Sequence, residues 1–300
     1  MRLRAFLTAV CILVLSGALA GPVVGPKASW AAPAQQAEIW PKLDVRGLAR
    51  AAGIPTVQVT IAEDPVYGGE KRYRGIPLRD MLAAIPEIEE LARRGALIVF
   101  HAADGYIATM DLERALTAGG VLAVSDLGAL PGHTWMPIEQ GGQKVSPAPL
   151  YLVWPEAKSG DPRFVWPYQI QTIEVKPFAA QYGAAVPEIK EAAGDGTAEV
   201  AGGEAVRRGF EHMRVRCLTC HAVNLVGGDL GPELNVPMNP TEYWKPEMLP
   251  RYIRDAPSFH ARSKMPSFRD TLSDGDIADI LAYLRFMVGQ KICGAETPCE

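Results

Sequence analysis

Cysteine is scarce and unevenly placed in this chain of 300 residues. None of the five cysteines lies between Cys11 and Cys217, so that long stretch can supply neither a thiolate ligand nor a disulfide. No large excess of charge is present either: the formal net charge of −4 excludes nucleic-acid binding through bulk basic charge. Internal repeats are absent, and 48% hydrophobic with 21% charged residues exclude a disordered chain, a collagen-like repeat and a multi-span membrane protein.

The apolar run at the start of the chain is short. Arg2 and Arg4 precede an apolar stretch at residues 5–15, and a small-x-small site follows, so residues 1–20 predict a secretory signal and export to the periplasm. An uncleaved membrane anchor is the alternative. Removal of the signal takes Cys11 and two arginines with it. The remainder has 28 basic and 34 acidic residues, a net charge of −6, and four cysteines in a compartment that permits disulfides.

Shifts in composition divide the rest of the chain into two domains, as its length also predicts. Residues 21–38, rich in Ala, Pro, Gly and Gln, predict a flexible lead-in, and residues 181–201 predict a linker. Residues 39–180 alternate short strand and helix patterns, which predicts an α+β domain with a mixed sheet. Residues 202–290 begin and end with helical patterns, and residues 291–300 form a tail. The strand patterns lie at 56–62, 96–100, 150–154 and 169–175, and the helix patterns at 78–85, 111–118, 204–216 and 274–288.

The most specific motif is Cys217-Leu-Thr-Cys220-His221, the spacing of covalent haem c attachment. Two thiols three residues apart face the same side of a helical turn, so both can reach haem vinyl groups, and the adjacent histidine can present its imidazole to the iron. A thioredoxin-type redox pair or half of a zinc site are the alternatives, but no βαβ pattern and no second C-x-x-C accompany the motif. The motif therefore predicts one covalent haem c, held by Cys217 and Cys220, with His221 as an iron ligand.

Residues 202–290 resemble a class I cytochrome c, which is an all-α electron-transfer domain. The resemblance rests on the cysteine–histidine motif, on the glycine and proline that follow it, and on the capped terminal helix. It implies that the carbonyl of Pro232 accepts a hydrogen bond from the proximal imidazole, which fixes the ring and raises its basicity. It also implies that Gly209 and Tyr283 lie where the first helix packs against the last.

The same resemblance implies a methionine before a proline as the second iron ligand, and Met265 followed by Pro266 matches that pattern. A methionine and a histidine fill both axial positions, which favours electron transfer over ligand activation. The other methionines and histidines of this domain are Met213, Met238, Met248, Met287, His212 and His260.

The last two cysteines, Cys293 and Cys299, flank a five-residue segment in the tail. In an exported protein this spacing predicts a local disulfide with a structural role. Two free thiols or an intermolecular bridge are the alternatives.

Three stretches of the N-terminal domain, residues 72–82, 99–106 and 166–175, resemble the sulfite-oxidase-type molybdopterin-binding fold. Catalytic members of that family ligate molybdenum through a cysteine just upstream of the first stretch, where this sequence has Ile61–Gly69 without a cysteine. We therefore expect this domain to bind no molybdopterin and to act as a partner-binding module. The one dense basic group that could meet a pterin phosphate is Lys71, Arg72, Arg74 and Arg79.

Together these patterns predict a monohaem electron-transfer protein rather than a self-sufficient enzyme. Its expected partner is a periplasmic dehydrogenase or another cytochrome, with no nucleic acid and with a membrane only if the signal is uncleaved. The net charge of −6 predicts a basic partner. One alternative is a molybdopterin-dependent oxidoreductase that passes electrons from a small sulfur-type substrate to its fused haem. Another is copper(I) binding by His133 and Met136 with His101 and Met110.

Overall fold

The computed structural model describes residues 42–44, 53–140, 142–158, 160–161, 163–189 and 200–292. All of them belong to a single unit of contacts that spans Trp40–Glu300. The predicted signal, the predicted lead-in and the predicted Cys293–Cys299 disulfide lie outside the described residues, as do residues 190–199 of the predicted linker.

The N-terminal region, residues 42–180, contains two four-stranded sheets. All their described strand pairs are antiparallel, so the prediction of a mixed sheet is wrong. Its strands are β1 Lys42–Asp44, β2 Val57–Asp64, β3 Gly69–Pro77, β4 Leu97–Ala102, β5 Ile107–Asp111, β6 Val121–Asp126, β7 Ile138–Gln140, β8 Gln143–Val145, β9 Tyr151–Val153 and β10 Ile170–Lys176. The first sheet has the order β1-β10-β4-β5, the second has the order β2-β3-β6-β9, and β7 pairs with β8 in a separate hairpin. The predicted strands β2, β4, β9 and β10 are confirmed. Strand β3 escaped prediction because its outward positions are charged and it contains Gly75 and Pro77.

Three short helices, α1 Leu78–Leu82, α2 Ile88–Arg93 and α3 Leu112–Thr117, pack against these sheets. The main core of the N-terminal region combines their apolar faces with inward residues of both sheets, and it includes the fully buried Phe100 and Trp154. A smaller cluster lies around Tyr73 and Tyr151 on the second sheet. The predicted helices at 78–85 and 111–118 are confirmed, and each is shorter than its pattern indicated.

The C-terminal region, residues 182–292, is mainly helical. A short helix, α4 Phe178–Tyr182, leads into this region. The elements that follow are α5 Val200–His212, β11 Ala222–Val223, β12 Val226–Gly227, α6 Pro240–Tyr243, α7 Leu249–Arg254, α8 Ala256–Phe259 and α9 Asp274–Val288. Helix α9 begins at the predicted capping box, because Ser273 Oγ accepts from the Asp276 N–H at 3.2 Å and the Asp276 carboxylate accepts from the Ser273 N–H at 2.8 Å.

Helices α5 and α9 cross at Gly209. A Cβ atom at this position would lie 2.0 Å from the Asp279 carbonyl oxygen, so only glycine allows the two backbones to approach this closely. Beside the crossing, the rings of Phe210 and Tyr283 lie 5.8 Å apart. The packing of Gly209 and Tyr283 implied by the sequence resemblance is therefore confirmed.

The start of the predicted linker packs into the C-terminal region. Tyr182 and Ala185 are buried in its core, and the Tyr283 hydroxyl donates to the Ala185 carbonyl at 2.6 Å. Glu188 and Gln290 exchange two hydrogen bonds of 3.0 and 2.9 Å. Composition predicted a linker here because alanine and glycine do not indicate whether a segment is buried. The hydrogen bonds that hold this segment in place come from residues about 100 positions away along the chain.

Candidate functional site

A widened helical turn at the end of α5 leads into the cysteine–histidine motif. Residues Met213–Cys217 form a π-helical turn, in which the Leu218 N–H donates to the Met213 carbonyl at 2.8 Å. The N–H groups of Cys220 and His221 then both donate to the Cys217 carbonyl, at 3.0 and 2.8 Å. This winding places all three motif side chains on the wall of one cavity.

The cavity, called the central cavity below, has a volume of about 410 Å³, which is within the range of ligand-binding pockets. Cys217, Cys220, His221 and Met265 all line it. Apolar side chains from α6, α7 and α9 complete the wall, and the cavity is therefore suited to a large planar apolar group held by a few polar atoms.

The His221 imidazole is held in one orientation. Its Nδ1 lies 2.7 Å from the Pro232 carbonyl oxygen, an acceptor, so Nδ1 carries the proton and Nε2 keeps its lone pair. Gly231 makes this contact possible, because a Cβ atom there would lie 2.5 Å from the imidazole Cε1. Burial lowers the pKa of His221, which keeps the ring neutral and able to bind a metal at neutral pH. The bond from His221 to Pro232 that the resemblance implied is present.

The loop that carries Pro232 is anchored by buried polar groups. The Glu233 carboxylate accepts from the N–H groups of Asn224, Leu225 and Asn235 at 2.7–3.0 Å. The Asn235 amide donates to the Asn224 side chain at 2.8 Å and to the Met287 carbonyl of α9 at 2.9 Å. Sequence reasoning missed this network. Its only signal is a set of asparagines within a loop rich in glycine and proline.

The two motif cysteines are unbridged thiols. Burial raises the pKa of Cys217 to about 12 and also raises that of Cys220, so both are protonated at neutral pH. A thioredoxin-type pair needs a lowered thiol pKa, and this environment opposes it. Within the described residues, no group of three or more His, Cys, Asp or Glu side chains is placed to hold a metal ion.

Met265 lies in the wall of the central cavity, on the segment between α8 and α9. Ser263 shapes this segment, because its Oγ accepts from the Met265 N–H at 3.1 Å. Of the other candidates only Met213 lines the cavity, and it lies in the π-helical turn that carries the motif. Met287 is buried in the core, and His212 pairs with Asp276 at 3.2 Å. Met265 as the second axial ligand stays a prediction.

A turn of the N-terminal region touches the motif directly. The Ile107 N–H donates to the Thr219 carbonyl at 2.8 Å, and the Asp229 N–H donates to the Gly105 carbonyl at 3.1 Å. Gly105 has φ of +88°, and a Cβ atom there would lie 1.7 Å from the Asp229 carboxylate. The sequence identified Asp104-Gly105-Tyr106 as a turn that needs glycine, but a partner in the other region was not foreseen.

The side chains of this turn also lie close enough to Cys220 to interact with it electrostatically, and Asp104 contributes to the raised pKa of this thiol. Burial, together with the neighbouring Asp104 and Cys220, raises the pKa of Tyr168 to about 12. Burial likewise raises the pKa of Tyr106, with Cys220 as the next cause. The N-terminal region therefore supplies part of the environment of the second cysteine of the motif.

Asp64 lies within Ile61–Gly69, the stretch in which catalytic members of the sulfite-oxidase family have their molybdenum-ligating cysteine. This carboxylate is 1% exposed and accepts four hydrogen bonds of 2.8–3.1 Å, from the N–H groups of Val66 and Tyr67 and the hydroxyls of Tyr73 and Tyr151. These four hydrogen bonds tie Asp64 to its own protein, and residues 61–69 contain no thiol. The absence of molybdopterin from this domain stays a prediction.

The basic group near this position does not converge on one site. Lys71 points inward, pairs with Asp126 at 2.5 Å and lies over the Tyr67 ring, whereas Arg72 and Arg74 are exposed on the opposite face of β3. The proposed copper ligands are also dispersed. Met110 is buried in the main N-terminal core, while His133 is exposed on a loop next to Trp135 of the smaller cluster.

Residues 204–284 match the model of a protein family described as "Cytochrome C oxidase, cbb3-type, subunit III". The match shows a cytochrome c domain in the C-terminal region, and such a domain implies haem c. It does not reach the N-terminal region, whose likeness to the sulfite-oxidase fold stays a prediction. A comparison with curated proteins finds no match. No helix in the described part of the chain combines the length and the apolar character needed to cross a bilayer.

Proposed function

We propose that this chain is an exported, periplasmic one-electron carrier with a single haem c in the central cavity. Cys217 and Cys220 would hold the porphyrin through thioether bonds, and His221 and Met265 would hold the iron. The haem supplies a reversible ferric/ferrous couple. The protein binds it, orients its ligands and limits the access of water.

The observation that carries this proposal is the oriented imidazole beside the two thiols. The bond from His221 to Pro232 sets the tautomer and orientation of the ring, and the missing side chain at Gly231 leaves room for the ring in that position. A metal-ligating histidine typically donates its other N–H to an acceptor of this kind. Because Met265 would occupy the remaining axial position, the site favours electron transfer over binding of an external ligand.

A partner or subunit role is supported by the name of the matched family, which describes a subunit of an oxidase. In this proposal the chain exchanges electrons with a periplasmic dehydrogenase or another cytochrome, and the N-terminal region selects that partner. The direct contact between the turn at Gly105 and the haem-attachment motif supports a coupled role for the two regions.

The test is haem analysis of the protein purified from the periplasm. We expect one covalently bound haem per chain, detected by the pyridine haemochrome spectrum and by intact mass. The double variant Cys217→Ser/Cys220→Ser should lose the covalent haem, whereas Cys293→Ser, a substitution outside the cysteine–histidine motif, should keep it. Covalent haem retained in the double variant would contradict the proposal.

Metal and pterin analysis of the same protein distinguishes the electron carrier from the alternative, a molybdopterin-dependent enzyme. The filled environment of Asp64 leads us to expect neither molybdenum nor pterin. One molybdenum per chain would replace the carrier proposal by an enzyme that reduces its own haem.

A further inference from the structure

The turn at Gly105 is fixed to the protein on both sides of the second cysteine of the motif. On one side the Ile107 N–H donates to the carbonyl of Thr219, the residue directly before Cys220, at 2.8 Å. On the other side the Gly105 carbonyl accepts from the Asp229 N–H at 3.1 Å. The N-terminal region is therefore held against the haem-attachment motif at a defined place.

Glycine allows this approach from both regions. A Cβ atom at Gly105 would lie 1.7 Å from the Asp229 carboxylate, and a Cβ atom at Gly228 would lie 3.0 Å from the Gly105 carbonyl oxygen. Both distances are shorter than any ordinary contact, so the two main chains lie as close together as their own atoms permit. Side chains next to Gly105 are thereby brought to the edge of the motif.

The charged side chain of this turn is Asp104. Its Oδ1 accepts from the Tyr106 N–H at 3.1 Å, which orients the carboxylate, and the residue is half-buried. None of the ion pairs among the described residues includes Asp104. The other carboxylate of the junction, Asp229, is exposed. Because partly buried charges are screened less than exposed ones, Asp104 acts more strongly on its surroundings than Asp229 does.

The charge of Asp104 acts at the haem-attachment site. Burial raises the pKa of Cys220, and the charge of Asp104 adds to this rise. Burial likewise raises the pKa of Tyr168, with Asp104 as the next cause. A negative charge that disfavours a thiolate at Cys220 favours positive charge at the same place. A ferric haem carries one more positive charge than a ferrous haem.

The C-terminal region supplies charges of the opposite sign. Arg216 and Lys264 are the charged side chains that line the central cavity in the described part of the chain. Burial raises the pKa of Cys217, and the charge of Arg216 opposes that rise. The carboxylate of Glu233 is occupied by N–H groups of its own loop. Positive charge at the cavity wall favours the ferrous form, so the acidic turn of the N-terminal region counteracts it.

We propose that Asp104 lowers the reduction potential of the haem, so that the N-terminal region sets the driving force of electron transfer. This inference rests on the proposed function and gives the N-terminal region a role besides selecting the partner. Reduction adds one electron to the ferric haem and removes one positive charge, and no bond or proton is exchanged. A fixed negative charge therefore stabilises the ferric form more than the ferrous form. One partly screened charge changes such an equilibrium constant about fivefold.

The test is voltammetry of the full-length haem protein with Asp104→Asn. Asparagine keeps a side-chain oxygen for the Tyr106 N–H and is favoured in the same kind of turn, so the variant removes the charge and keeps the hydrogen bond. The midpoint potential should rise, which corresponds to an equilibrium constant for reduction about fivefold larger. Asp104→Glu restores the charge and should stay within about twofold of the wild type.

Asp80→Asn is the matched control. It removes an exposed carboxylate of α1, and it should change the equilibrium constant by less than about 1.5-fold because solvent and salt screen that charge. An equal rise in Asp80→Asn and Asp104→Asn, or no rise in Asp104→Asn, would overturn the proposal. A rise accompanied by loss of the methionine–iron absorption band would also overturn it, because a change of ligand would then explain the potential.

The same voltammograms separate this inference from the function on which it depends. A reversible one-electron couple with the same potential in the wild type and in Asp104→Asn refutes the role of Asp104 alone. The absence of a reversible couple in the wild type refutes the carrier function itself.

Discussion

The two regions of this protein use buried polar groups for different ends. In the N-terminal region the buried carboxylate of Asp64 is enclosed by two tyrosine hydroxyls and two N–H groups, and the surrounding space is filled by aromatic rings. In the C-terminal region the buried asparagines Asn224, Asn235 and Asn239 bind backbone carbonyls at the end of α9 and in the segment after α4. These hydrogen bonds hold the loop that carries Pro232 in place at the edge of the central cavity.

The difference lies in what the polar groups hold in place. In the C-terminal region the asparagine network fixes the loop that borders the central cavity, and the close approaches at Gly209 and Gly231 set the positions of α5, α9 and that loop. Around Asp64 the hydrogen bonds instead complete a packed cluster of aromatic side chains.

The sharpest test of the cavity is Met265→Ala. Loss of the thioether should abolish the weak far-red methionine–iron absorption band of the ferric protein, because no other sulfur would replace it at the iron. Absorption spectroscopy measures this, and Met238→Ala, at a side chain that is 55% exposed, is the matched control that should keep the band. Survival of the band in the Met265 variant would assign the ligand elsewhere, with Met213 as the next candidate.

Asp64→Ala tests the buried cluster around Asp64 in the N-terminal region. It leaves two tyrosine hydroxyls and two N–H groups buried without an acceptor, so we expect a loss of about 3 kcal/mol or more in the free energy of unfolding of the N-terminal region. Denaturant unfolding followed by tryptophan fluorescence measures this loss. The haem absorption spectrum should not change. A change of axial ligation in this variant would show that the packing around Asp64 also affects the iron ligands in the C-terminal region.

The close approach of the helices is tested by two alanine substitutions in α5. Gly209→Ala should destabilise the C-terminal region by about 2 kcal/mol, because the added methyl group would overlap the Asp279 carbonyl. Gly202→Ala meets nothing within 4 Å and should instead stabilise the helix by up to about 1 kcal/mol. Thermal unfolding monitored at a haem absorption band distinguishes the two. Equal effects would mean that helix propensity, and not the contact with α9, decides the role of Gly209.

The smallest expected effect is at the junction of the regions. Gly105→Ala places a side chain at a positive φ and against the Asp229 carboxylate, which can rotate away, so we expect a cost of about 1 kcal/mol. Amide hydrogen exchange should show faster exchange at Ile107, whose N–H donates to Thr219. Unchanged protection at Ile107 would mean that the two regions hold together without this turn.

Local patterns predicted the elements whose formation depends on near neighbours. The helix α9 begins at Ser273 as predicted, because its capping box lies within four residues, and its apolar stripe from Ile277 to Met287 is buried. The alternation of β2 and the apolar run of β4 are also local. Strand β3 was missed because its inward positions include Gly69, Lys71 and Gly75, so the alternation of apolar and polar residues typical of a half-buried strand is weak.

Contacts between distant segments could not be predicted in the same way. The burial of Tyr182 and Ala185 depends on Phe210 and Tyr283, and the Gly105 turn depends on Asp229. Neither periodicity nor composition reports on a pairing across so many residues. The wall of the central cavity is of the same kind, because it forms only when α6, α7 and α9 are arranged around the cysteine–histidine motif.

Residue type and spacing along the chain establish the chemistry of attachment: two thiols three residues apart with an adjacent histidine, and a long stretch without any thiol. The backbone of a single turn converts these properties into a site. The packing of distant segments establishes which carbonyl orients the imidazole, and that a turn of the N-terminal region bonds to Thr219 between the two cysteines of the motif. The reason is physical: burial, screening and hydrogen-bond geometry depend on distances between segments, and the fold alone sets those distances.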